Sequence, residues 1–138
     1  MEKITVEATI ENLSMVNEMV DRVLTDNDCP ARIQMQIDVA VEEIYVNIAS
    51  YAYHPGKGDA TVSISILSEP KRAVITFSDS GTPYDPLKKP DPDVTLGAEE
   101  RQIGGLGIYM VKKSMDDVTY SYSEGQNILT IVKNITDK

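Results

Sequence analysis

Glu43 and Asn47 stand four residues apart in a stretch where Ile33, Ile37, Val41, Ile44, Ile48 and Ala52 recur at helical spacing. At about 100° per residue, Glu42 falls opposite this apolar stripe and faces water. Glu43 lies beside the stripe, and Asn47 is one turn further along the same edge. A carboxylate there can take a proton from an attacking hydroxyl or water. An amide carbonyl oxygen is a hard ligand suited to Mg²⁺. On its own, an E-x-x-x-N pair is more often a hydrogen-bonded helix edge than a site.

Asp79 directly follows the β-rich run Arg72 to Ser78. A carboxylate at a strand end accepts a hydrogen bond from an exocyclic amine, such as adenine offers, and repels the carbonyl that guanine presents there. Gly81 permits close approach of a ligand or an unusual backbone angle. Without further context, D-S-G-T-P reads equally as a type I or II turn. Downstream, Gly104, Gly105, Leu106 and Gly107 open or precede a helix. Glycines at that position let backbone N–H groups face an anion, and the helix dipole favours phosphate. No Lys-Ser or Lys-Thr follows, so this is not the familiar G-x-x-x-x-G-K-[ST] loop. Together the three motifs suit a site that grips both ends of a nucleotide such as ATP.

These residues need elements to hold them. Lys3 to Ala8 alternates as a short strand. Leu13, Val16, Val20 and Val23 predict a first helix over about Asn12 to Leu24. Pro30 fits the first turn of a second helix, which ends near Tyr53 because His54-Pro55-Gly56 breaks it. Thr61 to Leu67 and Arg72 to Ser78 read as a hairpin joined by Ser68 to Lys71. A third helix runs from near Leu106 to about Met115. Val118 to Ser123 and Ile128 to Asn134 form a last hairpin around Glu124-Gly125-Gln126-Asn127. The order β-α-α-β-β-loop-α-β-β predicts an α+β fold, a two-layer α/β sandwich with three helices on a mostly antiparallel, mixed sheet. Residues 80–105 carry Pro83, Pro86, Pro90 and Pro92 and little periodicity. So long a connection between site residues reads as a lid.

Composition bounds the rest. The chain has 138 residues, the size of one domain, and residues 1–138 are expected to form one. Its net charge of −9 argues against sequence-independent nucleic-acid binding, which needs clustered Lys and Arg. A single cysteine, Cys29, fits a reducing compartment. Neither a signal peptide nor an apolar run near the roughly 20 residues of a membrane span is evident, so the cytoplasm is the expected setting and no membrane partner is expected.

In combination and order, E-x-x-x-N on a helix, D-x-G-x-P after a strand and G-G-L-G after the lid resemble the three boxes of the GHKL ATPase superfamily. Within it, the chain is most similar to the bacterial anti-sigma-factor serine/threonine protein kinases. The stretches that carry the likeness are Val39 to Tyr53, Phe77 to Pro86 and Gly104 to Asp117. The resemblance implies a Bergerat-type ATP-binding fold with ATP and Mg²⁺ as cofactors. It implies Glu43 as general base, Asn47 as the Mg²⁺ ligand and Asp79 as the acceptor of the adenine amine, with Gly81 beside the base. It implies Gly105 and Gly107 as phosphate contacts, and places Thr130 in the last hairpin as a hydroxyl near adenine. Family members bind and silence a sigma factor, phosphorylate an antagonist of the STAS fold, and often form homodimers. Two positions depart from the pattern. Tyr51 stands where many relatives have His. Ile103 stands where some have an arginine for the terminal phosphate, leaving Arg101, Lys88 and Lys89 as the cations of the lid. The alternative is a non-catalytic ATP-binding module of a bacterial partner-switching system.

Overall fold

Alternation along the strands and a 3.6-residue stripe along the helices bring the apolar side chains to one interface. The computed structural model describes residues 1–54, 56–88 and 105–136. In chain order these form β1 (Glu2–Glu7), α1 (Leu13–Asp26), α2 (Ala31–Asn47), β2 (Asp59–Leu67), β3 (Arg72–Asp79), α3 (Gly105–Ser114), β4 (Asp117–Ser123) and β5 (Gln126–Asn134). A wider, π-type turn over Ile48–Ala52 extends α2, and short 3₁₀ turns lie at Ile10–Asn12 and Pro86–Lys88.

The sheet runs β1-β2-β3-β5-β4, and every pairing among the described strands is antiparallel. Two local hairpins, β2–β3 and β4–β5, are joined through the long-range pair β3–β5. Val62 and Ile64 of β2, Ile75 and Phe77 of β3 and Ile131 of β5 are buried on one face. Against them pack Val20 and Leu24 of α1, Ile37, Val41 and Tyr45 of α2, and Val111 of α3, in one buried cluster. The opposite face carries Thr61, Ser63, Thr76 and Thr130, all partly exposed. The result is the two-layer, three-helix α+β arrangement that the element order predicts.

Local chemistry sets the boundaries. The Asn27 side-chain amide donates to the Val23 carbonyl at 2.8 Å, and Asp28 reverses the chain at φ 58°, which stops α1. Pro30 sits one residue before α2 rather than in its first turn; its carbonyl accepts the Gln34 N–H at 2.9 Å. The Tyr45 hydroxyl, on a fully buried side chain, donates to the Thr9 carbonyl at 2.7 Å and ties α2 to the connection after β1. The last hairpin differs from expectation. Its turn is two residues, Glu124 and Gly125, at φ 53° and 77°. Positive φ at both positions is the geometry that suits the twist of a tight hairpin. Gln126 and Asn127 therefore belong to β5, not to the turn.

Candidate functional site

A cavity of about 630 Å³ opens where the C-terminal end of α2, the end of β3 and the first turns of α3 meet. Its walls are largely apolar, with Ile44, Ile48, Phe77, Ile108 and Leu129 among them, and its polar side chains include Asn47, Asp79 and Asn127. Asn47 of the first motif, Asp79, Thr82 and Pro83 of the second, and Ile108, which directly follows the glycine motif, thus line one cavity. The apolar walls suit the faces of a flat ring, and the polar groups can fix its orientation.

Asp79 is the last residue of β3 and shares the inward face with Phe77 through the two-residue period of the strand. It is only 6% exposed. Its Oδ1 accepts the Gly81 N–H at 2.9 Å and the Asn127 side-chain N–H at 3.0 Å. Those bonds offset part of the cost of burying a carboxylate. The turn after Asp79 rests on the end of α2: the Thr82 N–H donates to the Ala52 carbonyl at 3.0 Å. A Cβ on Gly81 would stand 2.2 Å from that same carbonyl oxygen. Glycine is therefore required by close backbone approach. The Tyr53 hydroxyl accepts the Ser80 N–H at 2.7 Å and donates to the Asp59 carbonyl at 2.6 Å, bracing the turn from behind.

Glu43 and Asn47 project from α2 toward α3 and the cavity respectively. Asn47 lines the cavity. Glu43 is half-buried against α3: a Cβ on Gly107 would lie 1.8 Å from Glu43 Oε1. The carboxylate thus occupies space that only a glycine at 107 leaves open. Gly105 and Leu106 lie in the first turn of α3, whose opening N–H groups have no partner within the helix. Gly104, Arg101, Lys89 and most of the lid over 80–105 lie outside the described residues. Tyr51, in the wide turn after α2, lines the cavity mouth and is 61% exposed.

Thr130 is not brought to the other candidates. It pairs with Thr76, hydroxyl to hydroxyl at 3.1 Å, on the face of the sheet turned away from Asp79. Residues of β5 at odd positions face inward, and the one opposite Asp79 is Asn127. The sequence reading missed Asn127 because Gly125-Gln126-Asn127 has turn composition. The signal that would have found it is the two-residue turn at Glu124-Gly125, which moves the strand start forward.

Comparison with known proteins gives the family and the fold. The family described as histidine kinase-like ATPase domain matches residues 6–133. The chain is 25% identical to the serine/threonine-protein kinase BtrW of Bordetella bronchiseptica over 104 residues, 75% of this chain and 72% of that protein. It is 30% identical to the serine-protein kinase RsbW of Listeria monocytogenes over 106 residues, 74% of this chain and 66% of that protein. Among solved structures, the RsbU and RsbW domains of a Mycobacterium tuberculosis protein share its fold with a TM-score of 0.68 at 14% identity. That likeness covers all of this chain and 34% of the other. No helix among the described residues is long and apolar enough to cross a membrane.

Proposed function

This chain belongs to the histidine kinase-like ATPase domain family, and from that premise we propose that it binds Mg-ATP in the cavity and acts as a serine/threonine protein kinase that also serves as an anti-sigma factor. In this reading residues 1–138 form one ATPase domain with a lid over about 80–105. Its protein substrate is a STAS-fold antagonist, its other partner a sigma factor, and its setting the cytoplasm. The kinase part is supported by the names of its relatives, BtrW and RsbW. The observation that carries the reading is the convergence of Asn47, Asp79 and the start of α3 on one apolar-walled cavity.

The residues fit the cofactor. Asp79 presents a buried carboxylate whose Oδ1 is already engaged, so its other oxygen can accept the adenine 6-amine. A carboxylate accepts only, so the guanine carbonyl meets repulsion. Asn47 offers one carbonyl oxygen; Mg²⁺ is commonly held by one or two protein oxygens, with phosphate and water completing the set. When bound, the metal neutralises charge on the phosphates and orients them. The first N–H groups of α3 and its dipole favour phosphate at Gly105 and Gly107. In this reading Glu43, beside Gly107, accepts the proton of an attacking hydroxyl.

Calorimetric titration of wild type and Asp79→Asn with Mg-ATP and Mg-GTP tests the reading. A hydrogen bond to a charged group is worth about 1.5–3 kcal/mol, so the substitution should weaken ATP by about 10- to 100-fold. Wild type should bind ATP well above GTP. Equal binding of both nucleotides, or of neither, would defeat the assignment.

A further inference from the structure

Among the described residues the only buried side chains that end in a carboxylate or an amide are Asp79, 6% exposed, and Asn127, 8% exposed, and they are bonded to each other. Resting on the reading that Asp79 accepts the adenine amine, we propose that Asn127 is the positioning residue that sets the adenine selectivity of this site.

The orientation of the Asn127 amide is fixed by its neighbours. Its Oδ1 meets the Tyr84 N–H at 3.1 Å, and a backbone N–H can only donate. Its Nδ2 meets the Thr82 carbonyl at 3.0 Å, which can only accept. The other Nδ2 proton goes to Asp79 Oδ1 at 3.0 Å, and the Gly81 carbonyl lies further off at 3.4 Å. Tyr120, from β4, donates its hydroxyl to Asn127 Oδ1. A phenol is protonated at neutral pH, and burial raises the pKa of this one further, so it stays a donor. A flipped amide would oppose like groups at the Tyr84 N–H, the Thr82 carbonyl and Asp79 Oδ1; only the Tyr120 hydroxyl, which can donate or accept, would adapt.

The consequence falls on Asp79. Two donors, Gly81 N–H and Asn127 Nδ2, hold the same carboxylate oxygen from two directions. Rotation about the carboxylate bond would break both. The second oxygen is left as a fixed acceptor, and a fixed acceptor rejects a ligand that presents another acceptor. A carboxylate free to turn loses part of that discrimination. The same amide holds the root of the segment after β3, through Thr82 and Tyr84, against β5. One side chain therefore sets both the carboxylate and the start of the segment after β3.

The test uses inosine triphosphate, which carries a 6-oxo group where ATP carries the amine. Affinities for Mg-ATP and Mg-ITP are measured for wild type, Asp79→Asn, Asn127→Ser and Tyr120→Phe. Asn127→Ser should lower the ATP-over-ITP preference by about tenfold, through ATP, with ITP affinity changed by less than about threefold. Tyr120→Phe, which frees one of the two groups on Oδ1, should lower the preference by a few-fold. An amide that merely supports the fold would weaken both nucleotides in parallel. Parallel loss, or an unchanged preference, would overturn the proposal. If Asn127→Ser does not fold, Tyr120→Phe decides: an unchanged preference in that variant overturns it. Failure of the underlying adenine reading looks different. In that case wild type does not prefer ATP to ITP, or Asp79→Asn keeps the full preference, and both proposals fall together.

Discussion

A methyl group at position 107 would overlap the Glu43 carboxylate at 1.8 Å, and that carboxylate is the movable end of a flexible side chain. The overlap therefore resolves by displacing Glu43 rather than by distorting the backbone. Alanine is also favoured over glycine in a helix by about 1 kcal/mol. Gly107→Ala should thus fold with a melting temperature close to that of wild type while removing Glu43 from its place. A general base contributes about 10²- to 10⁴-fold. Release of ADP from Mg-ATP should fall by about that much in both Gly107→Ala and Glu43→Ala, with Mg-ATP affinity kept within a few-fold. Full ADP release by either variant would remove Glu43 from the chemistry. Gly81 is the contrasting case, because a side chain there meets the backbone carbonyl of Ala52, which cannot swing aside.

At the scale of elements, the seam between α1 and α2 carries a pair of carboxyl groups. Asp38 of α2 has its pKa pushed up to about 7, first by burial and then by the hydrogen bond and negative charge of Asp21 on α1. Asp38 Oδ1 is buried without a hydrogen-bond partner, and Gln34 donates to Asp21 Oδ1 at 3.2 Å. Cys29, between the two helices, also has a raised pKa, through burial and then Asp38, with Lys71 opposing. Folding raises the Asp38 pKa, so the folded state holds its proton more tightly than the unfolded chain. That contribution to stability is fully present below about pH 4 and is lost as pH rises through about 7. Asp38→Asn keeps the shape without the titration. Its melting temperature relative to wild type should therefore increase from pH 5 to about pH 7 and level off above that, in a thermal melt series. A constant difference across that range would show that Asp38 is not the group being titrated.

The whole molecule carries a net charge of −9, and its proposed ligand is also an anion. Long-range attraction cannot gather the nucleotide; local contacts and the metal must do so. Binding to the folded state alone stabilises by mass action, about 2.7 kcal/mol at a hundredfold excess over Kd. For a chain of 138 residues that converts to a melting-temperature rise on the order of 10 °C. Mg-ATP should give such a shift, and Mg-GTP at the same concentration should give less than about 2 °C. Equal shifts from both would mean that the cavity reads phosphate and not the base.

Local pattern in the chain was enough for the element types, their order and the three motifs. Apolar spacing of 3.6 residues in Ile33 to Ala52 and alternation in Thr61 to Leu67 depend only on near neighbours, and Pro30 and Gly56 mark breaks for steric reasons that travel with the residue. The pairings Glu43 with Gly107 and Gly81 with Ala52 were not legible, because each joins segments that only packing brings together. Register decided the rest. A strand has a period of two, so the short turn at Glu124-Gly125 determines which residues of β5 face inward. It turns Asn127 toward Asp79 and Thr130 away from it, a choice that belongs to the tertiary structure because it depends on how β5 lies beside β3.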